Sequence, residues 1–512
     1  MEKIAEKPKV NESLLKTVLC SAAFWGLLAH GMALFNKYSF HDDARYFNDV
    51  GATYESGRWM LGILGSLSAN LLGSKNYSLP VVNGTITILC IAAIVYLLAD
   101  SLRIQSKPLV ILLCGSMVTF PSVTGTFSYM FTAPYYYAAS LLGVVGAWIF
   151  HQKKNLVALL LCTVLMACSV GVYQANIPVC ICTLLLYMME DVRQSDMSWK
   201  AFWKMALCNA TVCIGFVTEY FLVNQYFLNR FGVVLTDYQG INHFGRTNLS
   251  NYIYRILCGY GSFFYPSTAV EDFSARYVYT LLIVVTAIIA VFVLRKMFIL
   301  KTPKVWQTLL LLIAYPIAAC FVYLMVDSWD VHAVMTFGQA FAFVLVAWLI
   351  DKYPEDRTKV ECALCKAAAV LLGILVTLNI RYSNICYLKA DVMQTQAISY
   401  YTTLITRIES VEGYTEDTQV VYIGEYDKHD RNFVGINEYF DELDLATYKG
   451  ELIFNDYAWK ETMELWCGFA PELGDAAEFD GNAEVASMPC YPDQGSIRCI
   501  DGKIVVKFAD EP

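Results

Sequence analysis

Residues 79–99 read LPVVNGTITILCIAAIVYLLA, a run without a single Asp, Glu, Lys or Arg. A bilayer core of about 30 Å is crossed by about 20 apolar residues in a helix, so this stretch fits one crossing. Comparable apolar runs fall near 14–35, 108–125, 133–150, 155–171, 174–190, 205–228, 278–297, 305–326, 331–350 and 363–381. Together they make eleven spans, although the pair at 155–190 is short and can be read as one broken helix. The expected fold class is membrane all-α: a polytopic helix bundle of about 11 transmembrane helices.

Composition supports the same class. The 512-residue chain is 57% hydrophobic and only 16% charged, with mean hydropathy +0.45. A soluble domain carries roughly a quarter charged residues. The net charge of −9 hides an asymmetry. From Lys389 onward there are 9 Lys/Arg against 25 Asp/Glu, a net of −16; before it there are 28 against 21, a net of +7. The division expected is a polytopic membrane domain over 1–384 and an acidic soluble domain over 385–512. Such a tail offers no basic surface for nucleic acid.

Loop lysines and arginines set the expected orientation. Lys3, Lys7, Lys9 and Lys16 place the N-terminus in the cytoplasm. Arg103/Lys107, Lys153/Lys154, Arg193/Lys200/Lys204, Arg295/Lys296/Lys301/Lys304 and Lys352/Arg357/Lys359/Lys366 fall on the same side under the eleven-span count. That puts the 36–78 loop, the 229–277 loop and everything after Arg381 outside. The first apolar stretch lacks a small-residue cleavage pattern and reads as an uncleaved span. The protein is therefore expected in the cell membrane, multi-pass, with its C-terminal domain extracytoplasmic.

Two outer segments read as helices on the membrane surface: GRWMLGILGSLSANLLG in the first loop and NYIYRILCGYGSFF in the second. The tail reads as α/β, with a helix over 397–410 and strands in TQVVYIGEY and GKIVVKF. Most of the 17 cysteines lie inside apolar spans, where they behave as small hydrophobes. Cys467, Cys490 and Cys499 lie together in the tail, and one disulfide among them is open. No metal-ligand spacing occurs, and no metal is expected to be required.

The chemistry concentrates just after the first span. His41-Asp42-Asp43-Ala44-Arg45 continues through Asp49 and Glu55 to Gly57-Arg58-Trp59. A transfer that expels a phosphate needs a base for the acceptor hydroxyl and cations on the departing phosphate. An outer loop supplying Asp and Arg meets both needs; the plain alternative is a solvated loop with an aspartate capping the next helix. Asp327-Ser328-Trp329-Asp330-Val331-His332 lies at a second outer junction, where Asp327, Asp330 and His332 would orient a sugar; otherwise it is a two-helix turn. His243, Arg246, Arg255 and Arg276 bring guanidinium forks suited to phosphate, or simple headgroup contacts. The aromatic edge 131–137, FTAPYYY, with Tyr129 and Tyr173-Gln174 nearby, offers Tyr136 for sugar stacking or for an interfacial belt. Glu219, within a span, is expected to face protein.

The run HDDAR followed by the Gly-Arg-Trp triplet resembles the bacterial GtrII-type glucosyltransferase family, which is related to the C-type glycosyltransferase superfamily. The tail ending YPDQGSIRCIDGKIVVKF is also similar to members of that group. The resemblance implies a polyprenyl-phosphate sugar donor, undecaprenyl-phosphate-glucose, and a surface polysaccharide acceptor such as an O-antigen or wall glycan. The reaction would occur outside the cytoplasmic membrane. It also implies an acidic base in the first outer loop, which maps onto Asp42 or Asp43. Only that acidic motif is carried over; from charge and side alone, Arg45, Arg58, Arg246 and Arg255 are the candidates for the donor phosphate, and His41, Asp327, Asp330, His332 and Tyr136 for the sugar or acceptor. The first loop has no DxD triplet, which fits weak metal dependence.

The competing reading is a transporter or flippase for a lipid-linked saccharide. That class places ionisable groups near the midplane of inverted repeats. Here the charges gather at the outer surface and no repeat is visible, which favours an enzyme.

Overall fold

The computed structural model describes residues 11–39, 42–237, 248–266, 273–299, 303–326, 331–352, 357–424 and 458–510. Helices dominate. In chain order they are α1 (Glu12–Phe35), α2 (Asp42–Arg45), α3 (Trp59–Leu72), α4 (Pro80–Ser101), α5 (Lys107–Val118), α6 (Pro121–Phe127), α7 (Ala133–Lys153), α8 (Leu156–Val172), α9 (Ile177–Gln194), α10 (Trp199–Phe231), α11 (Leu249–Phe264), α12 (Phe273–Ile299), α13 (Lys304–Ala319), α14 (Val322–Met325), α15 (Phe341–Asp351) and α16 (Lys359–Glu409). Proline opens α4, α5, α6, α7 and α9 in the first two positions. There its fixed φ suits the helix and its missing N–H removes nothing. Asn155 and Ser198 cap α8 and α10 by accepting from Ala158 N and Ala201 N.

Among the described residues eight helices are long and apolar enough to cross a membrane, or nine if the α5/α6 pair, bent by 42°, counts as one. This is fewer than the eleven expected. The remaining two expected spans fall on α8 and α13, which are 17 and 16 residues long. Each stops for a local reason. The backbone turns extended at Tyr173 after α8, and Pro316 interrupts the last turn of α13.

The chain divides into two compact units. The described part of the first is 11–37 and 48–386. Its helices pack as neighbours: α1 on α4 and α5, α7 on α4 and α8, α8 on α10, and α9 on α13. Where α1 meets α4 a small residue lets the backbones approach; a Cβ on Gly84 would meet Leu34 at 2.3 Å. Outward-facing Leu, Val, Ile and Phe remain exposed along α10 and α12, as expected of helices with a lipid-facing side.

The second unit comprises 38–47 with 387–424 and 458–510 among the described residues. The segment 38–47, assigned from sequence to the membrane body, thus groups with the tail. The helix expected over 397–410 is instead the end of α16, a single 51-residue helix whose residues up to 386 belong to the first unit. Both expected strands form: β1 (Val420–Ile423) and β3 (Lys503–Lys507). An additional strand, β2 (Ile497–Ile500), completes a sheet of order β1-β3-β2. β1 runs parallel to β3 with Val420 opposite Ile504, and β2 antiparallel with Ile497 opposite Val506. The β2–β3 turn is Asp501-Gly502, both at positive φ, the two-residue hairpin that Asp-Gly favours. Val421, Phe479, Val485, Met488, Ile500 and Val505 form the core beneath it. Cys467, Cys490 and Cys499 are all free thiols, so the disulfide left open above is not formed.

Candidate active site

In the second unit, α2 is one turn long and holds Asp42, Asp43, Ala44 and Arg45. Asp43 is completely buried and its Oδ2 accepts from the Ser39 hydroxyl at 3.0 Å. Ser39 N donates in turn to Gln394 Oε1 on α16 at 3.3 Å. Tyr38, also buried, has its phenol pushed up to about 12, first by burial and then by the nearby Asp391 carboxylate. The short helix Trp459–Thr462 packs against α2. Asp42 is half-buried and Arg45 exposed. Residues three apart share one face of a helical turn, so Asp42 and Arg45 sit together while Asp43 turns inward. Arg45 also lies 6.0 Å from the Tyr46 ring. His41 lies outside the described residues.

In the first unit the Gly57-Arg58-Trp59 triplet forms the start of α3. A single 3-10 turn, Tyr54–Ser56, ends at Gly57 with φ +69. Arg58 N donates to Thr53 O at 2.8 Å and closes the turn. The turn is clamped by the break between α8 and α9 and by α10. Gln174 Nε2 donates to Ser56 O at 2.8 Å, and Tyr220 Oη donates to Gly57 O at 3.1 Å. A Cβ on Gly57 would meet Tyr220 Oη at 2.7 Å and Gln174 Nε2 at 2.8 Å, so glycine is required both by φ and by space. Trp59 lies over Gly171, where a Cβ would come within 2.5 Å of the indole, and stacks on Phe227 at 6.1 Å.

Arg58 is half-buried against two parallel, stacked rings. Tyr136 and Tyr173 stack at 4.1 Å with a 4° interplanar angle. The guanidinium carbon lies 5.8 Å from the Tyr136 centroid and 5.4 Å from that of Tyr173, within cation–π range. Behind the rings, Ser140 Oγ donates to Asn176 Oδ1 at 2.7 Å and Asn176 Nδ2 donates to Ser169 O at 3.3 Å. The break at 173–176 is thereby held by polar side chains inside an otherwise apolar helix pair.

The other candidates are distributed as follows. Arg255 is buried on α11 and donates to Leu324 O at 3.4 Å. His332 sits edge-on to Tyr129 at 6.2 Å, immediately before the 3-10 segment Ala333–Ala340. Arg276 lies 5.5 Å from the Tyr265 ring. Asp49 accepts from Val50 N at 2.6 Å and Glu55 from Thr53 N at 3.2 Å, so both serve their own turns. Glu219 accepts from Thr163 Oγ1 at 2.8 Å, which names the partner its position called for. Asp327, Asp330, His243 and Arg246 lie outside the described residues. Among the described residues no group of three His, Cys, Asp or Glu converges as a metal site.

The structure thus brings Arg58 together with Tyr136 and carries Asp42 and Arg45 on the same single helical turn. Arg255 and His332 belong to the first unit with Arg58 but meet neighbours of their own. Sequence reasoning missed Tyr220, Gly171 and Asn176. The only signal in the chain is the polar interruption Gln174-Ala175-Asn176 within an apolar run, beside small residues at 169–171.

No curated protein and no solved structure matched the chain. The family model described as glucosyl transferase GtrII matches residues 31–347, more than half of the chain and inclusive of α2, the Gly-Arg-Trp turn and the α8/α9 break. The chain belongs to the GtrII glucosyl transferase family.

Proposed function

We propose that this glucosyltransferase moves a hexose, glucose, from a polyprenyl-phosphate donor to a cell-surface polysaccharide on the outer face of the membrane. The observation that carries this reading is the shared face of Asp42 and Arg45 on α2, with Asp43 withdrawn into the interior. A base must reach the acceptor hydroxyl. Asp42 is accessible and Asp43 is engaged with Ser39, so Asp42 is the better base and Asp43 its positioning residue. The carboxylate takes the hydroxyl proton as the acceptor oxygen bonds to the anomeric carbon. The bond from that carbon to the phosphate oxygen breaks, and polyprenyl phosphate leaves with the electron pair.

Cations stabilise the charge that collects on that phosphate. Arg45, three residues from Asp42 on the same turn, is the first candidate for this task. Arg58 is offered by its tyrosine pair as a second cation, and Arg246 and Arg255 remain further candidates. Tyr136, buried against Tyr173, is proposed to border the sugar, and His41, Asp327, Asp330 and His332 are proposed for hydroxyl contacts. The tail unit, which includes α2, would guide the acceptor.

The test is transfer from synthetic polyprenyl-phosphate-glucose by purified protein in lipid, beside Asp42→Asn, Asp43→Asn and the double variant. Loss of transfer in folded Asp42→Asn supports the assignment. Undiminished transfer in the double variant would remove α2 from the chemistry.

A further inference from the structure

A basic cavity of about 270 Å³ opens at the helix ends where α9, α12 and α15 finish and α13 begins. Its wall carries Arg193, Lys296, Lys304 and Lys352, and among the described residues no carboxylate lines it. Its floor is apolar, with Leu294, Leu312 and Leu349 among its residues, and Thr308 adds a hydroxyl.

The carboxylates that pair with these cations are not among its lining residues. Arg193 Nη2 pairs with the wholly buried Glu190 at 2.6 Å. Lys296 Nζ pairs with Glu361 at 3.3 Å, and Lys352 Nζ with Asp351 at 2.9 Å. Lys304 Nζ meets the exposed Asp196 at 3.0 Å and the Arg193 carbonyl at 3.3 Å. Each cation is thus held by a carboxylate while its own side chain lines the cavity. The opening of α13 adds the positive end of a helix dipole on the same side.

A cationic rim over an apolar slot between membrane helices is the chemistry of an anionic lipid headgroup site. A free phosphate would use the rim and leave the apolar floor wet. A zwitterionic headgroup would bring a quaternary ammonium against four cations. We infer that this cavity holds the phosphate of an anionic glycerophospholipid of the bilayer, with its first acyl carbons on Leu294, Leu312 and Leu349. None of these residues belongs to the machinery proposed for transfer, so the site stands or falls independently of it.

The experiment is native mass spectrometry of the full-length protein in detergent, titrated with phosphatidylglycerol, with phosphatidylcholine and with inorganic phosphate. Two variants are compared with wild type. Lys304→Gln removes a rim charge whose partner, Asp196, is already in solvent. Leu312→Trp fills the slot and leaves the charges intact. Wild type is expected to hold one tight phosphatidylglycerol that both variants lose or weaken, by about fivefold for the single lysine. An equal count with phosphatidylcholine, or an unchanged count in folded Leu312→Trp, would overturn the proposal. Displacement of the lipid by millimolar inorganic phosphate would assign the rim to free phosphate instead.

Discussion

Ser39 Oγ donates to Asp43 Oδ2 at 3.0 Å, and both residues are buried. This one bond separates two adjacent aspartates that look equivalent in sequence. Asp43 faces inward toward the segment that meets α16, while Asp42 keeps a half-open position on the face of Arg45. The distinction follows from helix geometry: neighbours on a helix point about 100° apart, so only one of the pair can face the interior.

The two carboxylates should therefore fail differently. Asp43→Ala leaves the Ser39 hydroxyl without its acceptor, a loss of about 1–3 kcal/mol for a buried group. Thermal unfolding in detergent should show a lowered midpoint for Asp43→Ala and little change for Asp42→Ala. Transfer should fall by at least about a hundredfold in Asp42→Ala. Equal drops in midpoint for the two variants would contradict the division.

The Gly-Arg-Trp turn depends on Gly171 as much as on its own residues. A Cβ there would press 2.5 Å from the Trp59 indole. Overpacking of this kind costs about 1–3 kcal/mol. Gly171→Ala is expected to lower the unfolding midpoint and, through Arg58, transfer. Trp59→Phe added to Gly171→Ala should recover part of the loss, because the smaller ring vacates the contested space. Additive losses in the double variant would show that the two residues do not press on one another.

Long, uniformly apolar segments were legible because a period-free apolar run of that length has few other solutions. The strands VVYI and KIVVK were legible from β-branched runs. Asp501-Gly502 is of the hairpin-turn type, but β2 was missed because Ile497–Ile500 sets Arg498 and Cys499 side by side between two isoleucines and lacks the apolar alternation of a strand. The site was legible as residue types only. Nothing local tells that Asp42 and Asp43 join the unit built on α16 and the tail, more than three hundred residues away in sequence. Nor could Gln174 and Tyr220, which grip the turn at Gly57, be found by spacing. Such long-range partners are set by packing.

The Tyr38 phenol supplies a pH test of the same region. Its folded value of about 12 lies above the ordinary value of 10.0. Between those values the unfolded chain has lost the proton and the folded chain keeps it, so stability falls as pH rises through that window. Below pH 10 the contribution is fully present. The unfolding midpoint of wild type should therefore decline more steeply between pH 10 and 11.5 than that of Tyr38→Phe. Parallel curves for the two proteins would remove Tyr38 from the titration.

Arg58 distinguishes a charge from a fork. Its guanidinium is held beside the stacked rings of Tyr136 and Tyr173, and a planar, delocalised cation both packs on such rings and grips a phosphate at two points. Lysine keeps the charge but neither property. Arg58→Lys and Arg58→Gln should both raise the KM for the lipid donor, by about 10- to 100-fold for a lost charge-assisted contact. The lysine variant should recover only a minor part. The unfolding midpoints should stay close to wild type, since Arg58 is only half-buried. Initial-rate measurements over a range of donor concentrations decide the point. Full activity in Arg58→Lys would mean that charge alone suffices. An unchanged KM in Arg58→Gln would confine Arg58 to holding the tyrosine pair and move the phosphate to Arg45.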